Sequence, residues 1–154
     1  SHKDNWGNLA GFSPGQDHDL RDRTMKKRAE IIGEPLIIGG RRLSLSRAVR
    51  AGDFVFLTGQ IPFKDGEPMT SGTIEEQTRV TLDQIREILT EADCDLPDVV
   101  KAMVWLRDRA DFPGFNMAYG EYFPDGPPTR SAVVSNLLVD VRLEIEVVAY
   151  KPQA

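Results

Sequence analysis

The chain has 154 residues, 40% hydrophobic and 28% charged, with a formal net charge of −5. That is long enough for one domain with a sizeable core, and no apolar run approaches the roughly 20 residues of a membrane-spanning helix. The acidic balance disfavours nucleic acid as the main partner, although Lys and Arg cluster between Arg21 and Arg50.

Residues 1–24 lack hydrophobic periodicity and are rich in Gly, Asp, Asn and Ser. They read as a disordered amino-terminal tail or extension, with Met25 a candidate natural start and a single domain over 25–154. The only histidines, His2 and His18, fall in this tail. The domain itself then offers no Ser-His-Asp or Cys-His machinery and no histidine-rich metal site. The lone Cys94 excludes an intramolecular disulfide framework and fits a cytoplasmic protein. It stands among acidic residues at a helix end and reads as structural.

In chain order, "PLIIG" (35–39) suits a short strand. "RLSLSRAVRAG" (42–52) alternates Leu43 and Leu45 with Ser44 and Ser46, as a strand with a polar face would. "DFVFLTGQIP" (53–62) is an aromatic and β-branched strand, and Asp65-Gly66 marks the turn that follows. The period then changes. Val80, Leu82, Ile85, Leu89 and Ala92 form a helical stripe, opened by Thr73 and Glu76 at capping-box spacing. "VVKAMVWLRD" (99–108) predicts a strand with Val100, Ala102, Val104 and Leu106 on one face. "DFPGFNMAYGEYF" (111–123) predicts a second helix with Asp111 as N-cap. Two strands end the chain, near 130–138 and 142–150. The order β-β-α-β-α-β-β implies an α+β layer with helices on one face of an antiparallel or mixed sheet.

Within "VRLEIEVVAY" Arg142, Glu144 and Glu146 alternate with Leu143, Ile145 and Val147. The two glutamates sit roughly 7 Å apart on one strand face. A solvated outer face explains them simply; a carboxylate pair of the glycosidase kind is the sharper alternative. Arg130, after two prolines, could be a rim ion pair or a substrate anchor. "LTGQIP" has one glycine and no Lys, so it is not a phosphate loop.

Taken together, "LTGQIP", "TRVTLDQIREIL", "DVVKAMVWLRD", "FPGFNMAYGEYF" and "PPTRSAVV…VRLEIEVVAY" resemble the RidA/YjgF family of reactive-intermediate deaminases, from about Arg42 to Tyr150. The resemblance implies a chorismate-mutase-like fold, a mixed β-sheet backed by two helices. It also implies a homotrimer whose sheets form a central β-barrel, with ligand clefts between subunits. By the same resemblance Arg130 would grip a substrate carboxylate, and Glu144 would act with a hydrolytic water. Thr58, Gly59, Asn116 and the backbone at Ala132 would line the substrate pocket. The implied partner is a small imino or keto acid carrying a carboxylate, with no metal or cofactor and no membrane. The implied reaction is hydrolysis of 2-imino or enamine acids to 2-keto acids and ammonia. A ligand-sensing member without turnover is the alternative, and an endoribonuclease stands third. Departures from the family pattern are Leu45 where an aromatic is common, a shorter loop before Glu144 and a longer amino-terminal extension.

Overall fold

The structure is a computed structural model and describes residues 29–153. The expected tail, with His2 and His18, lies outside the described residues. The strands are β1 (Glu30–Ile32), β2 (Ile37–Ile38), β3 (Arg41–Arg42), β4 (Ala48–Ala51), β5 (Phe54–Leu57), β6 (Phe63–Lys64), β7 (Glu67–Pro68), β8 (Val99–Leu106), β9 (Thr129–Val134) and β10 (Leu143–Tyr150). Helix α1 (Ile74–Glu91) separates β7 from β8, and α2 (Phe112–Tyr122) separates β8 from β9.

Strict alternation makes β10 the centre of the molecule. Leu143, Ile145, Val147 and Ala149 are buried, while the residues between them face the other way. The main sheet runs β1-β4-β5-β10-β8-β9, with every pairing antiparallel except β8 with β9. A parallel pair needs a crossover, and α2 supplies it. The last two strands are therefore not neighbours, because β8 lies between them. This mixed sheet with two helices is the α+β architecture expected from the element order.

Both helices cover the same face of the sheet. Leu82, Ile85 and Leu89 of α1 and Phe115 of α2 are fully buried against Val55, Val104, Leu143 and Ile145. Burial of each such side chain contributes about 1.5–3 kcal/mol relative to exposure. The Thr73 side chain accepts from Glu76 N, and Glu76 Oε2 in turn accepts from Thr73 N, so the predicted capping box starts α1. Such a cap contributes about 1 kcal/mol. The β6–β7 hairpin turns at Asp65 (φ 54°) and Gly66 (φ 79°), where two successive positive φ values favour Asp-Gly.

Three local expectations are corrected, and one strand goes unannounced. The strand predicted over 42–52 is real only at Arg41–Arg42 and Ala48–Ala51; the alternating Leu43–Ser46 segment between them is irregular, because Leu43 and Leu45 line a cleft rather than a sheet face. Strand β1, pairing with β4, had no alternation to announce it. Val100 is exposed and Val99 buried instead, since a bulge pairs Lys101 with Val148 but Val99 with Ala149 and so inserts one extra residue in β8. Asp111 makes no capping bond. Its carboxylate holds Arg142 Nη1 at 3.2 Å, and Asp108 caps the short 3-10 turn ahead of α2 by accepting from Ala110 N.

Candidate functional site

A second irregularity builds the site. Phe56 pairs with Val148, yet Gln60 pairs with Ile145, so four steps on one strand oppose three on the other. The surplus residue bulges the chain at Thr58-Gly59. The bulge is pinned on both sides. Thr58 N donates to Arg47 O at 2.9 Å, and Gln60 and Ile145 exchange backbone bonds of 2.8 and 2.9 Å. Gln84 of α1 fixes the continuation, accepting from Phe63 N at 2.7 Å and donating to Ile61 O at 2.8 Å.

The bulge presses Gly59 onto Glu144. A Cβ at Gly59 would stand 3.0 Å from the carboxyl carbon of Glu144, so no larger residue fits without moving the carboxylate. Glu144 is half-buried, and loss of solvation, reinforced by the negative charge of Glu146, pushes its carboxyl above the usual glutamate range. Thr58, Gly59 and Glu144 open onto a cleft of about 850 Å³ shared with Trp105, the 135–139 loop and the outer face of α1. Leu36, Ile37, Leu43 and Leu45 supply its apolar wall.

Arg130 is elsewhere. It registers with Ala102, whereas Glu144 registers with Trp105, three positions along β8. An odd separation puts the two side chains on opposite faces of the sheet, two strands apart, or roughly 10 Å across the ladder. On the helix side Arg130 Nη1 donates to Asn116 Oδ1 at 2.9 Å and lies over the aromatic face of α2. Ala132, two residues on, shares that face and sits exposed on the edge strand. The predicted residues thus form two groups within one chain: Thr58, Gly59 and Glu144 in the cleft, and Arg130, Asn116 and Ala132 around α2.

Sequence reasoning predicted a helix over 111–123 without singling out Phe112, Phe115 and Tyr119, although their i, i+3, i+7 spacing marks one face. It also passed over Gln84, whose anchoring role has no local signal. Cys94 is buried beside Arg50, and burial pushes its thiol up, as a structural cysteine requires. Among the described residues no cluster of three or more His, Cys, Asp or Glu side chains is placed to hold a metal ion, and no helix is long and apolar enough to cross a membrane.

A mixed six-stranded sheet with two helices on one face, bulged at a Gly-Gln-Ile-Pro segment against a strand glutamate, defines a RidA/YjgF-type protein. The chain belongs to that family: the model described as Endoribonuclease L-PSP matches residues 41–151. It is 48% identical over 109 residues to a RutC family protein of Pyrococcus horikoshii, covering 69% of this chain and 86% of that protein. It is 36% identical over 107 residues to Saccharomyces cerevisiae Mmf1, described as mitochondrial, covering 69% of this chain and 74% of that one. The crystal structure of yeast Mmf1 superposes with a TM-score of 0.72 at 32% identity, over 80% of this chain and 98% of that one. A YjgF family member from Neisseria meningitidis gives 0.70 at 28% identity, over 83% and 98%.

Proposed function

We propose that this chain is a cofactor-independent hydrolase that converts 2-imino acids and their enamine tautomers to 2-keto acids and ammonia. It acts as a homotrimer in which each site is shared between two subunits. The observation that carries this reading is the separation of Arg130 from Glu144. A cation suited to a carboxylate and a carboxylate suited to proton transfer lie on opposite faces of one sheet, so a site using both takes one from each of two chains.

The open face of the sheet supports such an assembly. Phe54, Phe56 and Tyr150 are 42–46% exposed on strands whose alternate residues are buried, and Val133 on the edge strand β9 is 45% exposed. An uncovered aromatic patch of this kind marks an association surface.

The chemistry follows from the residues. Arg130 holds the substrate carboxylate through paired N–H donors. The imine carbon is then presented to a water beside Glu144, with Thr58 and the Gly59 backbone as the adjoining wall. Glu144 takes a proton from water as oxygen bonds to the carbon, and gives it to nitrogen, forming the carbinolamine. It then takes the hydroxyl proton and passes it to nitrogen as the C–N bond breaks, so that NH3 leaves and the C=O of the keto acid forms. An enamine first takes a proton on its β-carbon. A carboxyl raised above its usual range suits both halves of this proton relay. Imines hydrolyse unaided, so position and electrostatics suffice.

The family description also carries the word endoribonuclease. The cleft disfavours a polyanion: among the described residues Asp65, Asp83, Glu87, Glu91 and Glu144 line it against the single cation Arg47.

The test is ammonia release from freshly generated 2-aminoacrylate, with and without the protein. Accelerated release at substoichiometric protein supports the reading. Binding of 2-keto acids without acceleration replaces it with a ligand-sensing role.

A further inference from the structure

Arg130 lies on a surface made almost wholly of rings. Its Cζ stands 4.8 Å from the ring centre of Tyr119, 5.5 Å from Phe115 and 5.7 Å from Phe112. The rings support one another, with centroids 6.3 Å apart for Phe112–Phe115 and 5.3 Å for Phe115–Tyr119. Asn116, on the same helix face, accepts from Nη1. Phe115 and Tyr119 are buried, so their planes are fixed by the core; Phe112 is 40% exposed.

What is missing from this group matters as much. Among the described residues Arg130 forms no ion pair, whereas Arg79, Arg86, Arg107 and Arg142 each meet a carboxylate. A carboxylate partner would orient the guanidinium but also neutralise it and occupy its fork. Rings and a neutral amide orient it while leaving its charge uncompensated and the N–H groups other than the Nη1 donor open.

We propose that Phe112, Phe115 and Tyr119 are positioning residues. Together they set the plane of the Arg130 guanidinium so that its free edge meets the substrate carboxylate with charge undiminished. This rests on the reading of Arg130 as the carboxylate anchor. The hydroxyl of Tyr119 is buried with no hydrogen-bond partner among the described residues, which leaves the ring as the part of Tyr119 that Arg130 uses.

The experiment is calorimetric binding of 2-ketobutyrate, an unreactive carboxylate probe, together with kcat and KM for imine hydrolysis, on the full chain. The variants are Phe112→Leu, Tyr119→Leu, Tyr119→Phe and Arg130→Ala, and each leucine variant combined with Arg130→Ala. Phe112 is at the surface, so its variant tests the idea without endangering the core. Each leucine variant should weaken binding about two- to five-fold, the equivalent of one cation–π contact. KM should rise with kcat nearly retained, because the anchor acts on ground and transition states alike. Tyr119→Phe should rescue Tyr119→Leu. In the Arg130→Ala background neither leucine substitution should weaken binding further.

Leucine variants that bind like the parent, while Arg130→Ala does not bind, would overturn the positioning role and leave the anchor standing. Equal weakening with and without Arg130 would show a general structural effect and overturn it as well. Parental binding by Arg130→Ala would remove the anchor and the positioning role together.

Discussion

Gly59 and Glu144 approach so closely that a methyl group on the glycine would lie 3.0 Å from the glutamate carboxyl carbon and 3.2 Å from Oε1. Space, not backbone conformation, demands a glycine here. In Gly59→Ala the carboxylate must shift by a few tenths of an ångström, while the bulge keeps its backbone bonds. Misplacing a reacting group by about 1 Å costs on the order of a hundred-fold, so a smaller shift should lower kcat for imine hydrolysis roughly ten-fold. Circular dichroism and Tm should stay near parental. A fully active Gly59→Ala would remove Glu144 from the reaction.

The electrostatics of Glu144 set a pH dependence. Desolvation and Glu146 both raise its carboxyl, so the acid limb of kcat/KM should lie at higher pH than an ordinary glutamate would give. Glu146→Gln removes one of the two causes and should move that limb to lower pH. Stability follows with opposite consequence. The folded state holds this proton more tightly than the unfolded chain, so the contribution of Glu144 declines as pH rises from the unfolded to the folded pKa and stays low above it. Glu144→Gln should therefore be nearly inactive yet melt higher than the parent at neutral pH. Its advantage should disappear in acid, below the unfolded glutamate range. Thermal melts across pH 3–8 on the order of one unit apart check both directions.

Arg130→Lys keeps the charge and loses the plane. An ammonium cannot lie flat on three rings, bond Asn116 and still offer a carboxylate two parallel donors. A hydrogen bond to a charged group contributes about 1.5–3 kcal/mol, so kcat/KM should fall about ten- to a hundred-fold in the lysine variant. Arg130→Ala, which loses the charge as well as the fork, should fall further in kcat/KM, chiefly through KM. Both should remain folded, since Arg130 is not a core residue.

Light scattering in solution should return about three times the chain mass of 17.2 kDa. Phe56→Asp places a charge on the open sheet face without touching the buried Val55 and Leu57. It should yield folded monomers that have lost imine hydrolysis, because neither group of site residues then has its complement. A monomeric variant with parental activity would show that one chain is sufficient.

The sequence by itself determined the elements whose signals are local. Alternation of Leu143, Ile145 and Val147 predicted the last strand, though not its central place, and put Glu144 and Glu146 on its other side. Thr73 and Glu76 predicted where α1 begins, Asp65-Gly66 predicted the hairpin turn, and the family motifs predicted the sheet backed by two helices. Periodicity reports only which face of an element is buried; it carries nothing about which strand lies beside which. Only the tertiary structure placed β8 between β9 and β10, and so put Arg130 and Glu144 on opposite faces of the sheet. It alone inserted the extra residues at Val100 and at Thr58-Gly59, because a bulge is settled by the partner strand's register and not by the bulged strand. It also drew Asp111 from the cap its sequence position suggests to Arg142, a partner 31 residues away. A long-range charge pair of that kind competes with a local capping bond, and no local pattern records which of the two wins.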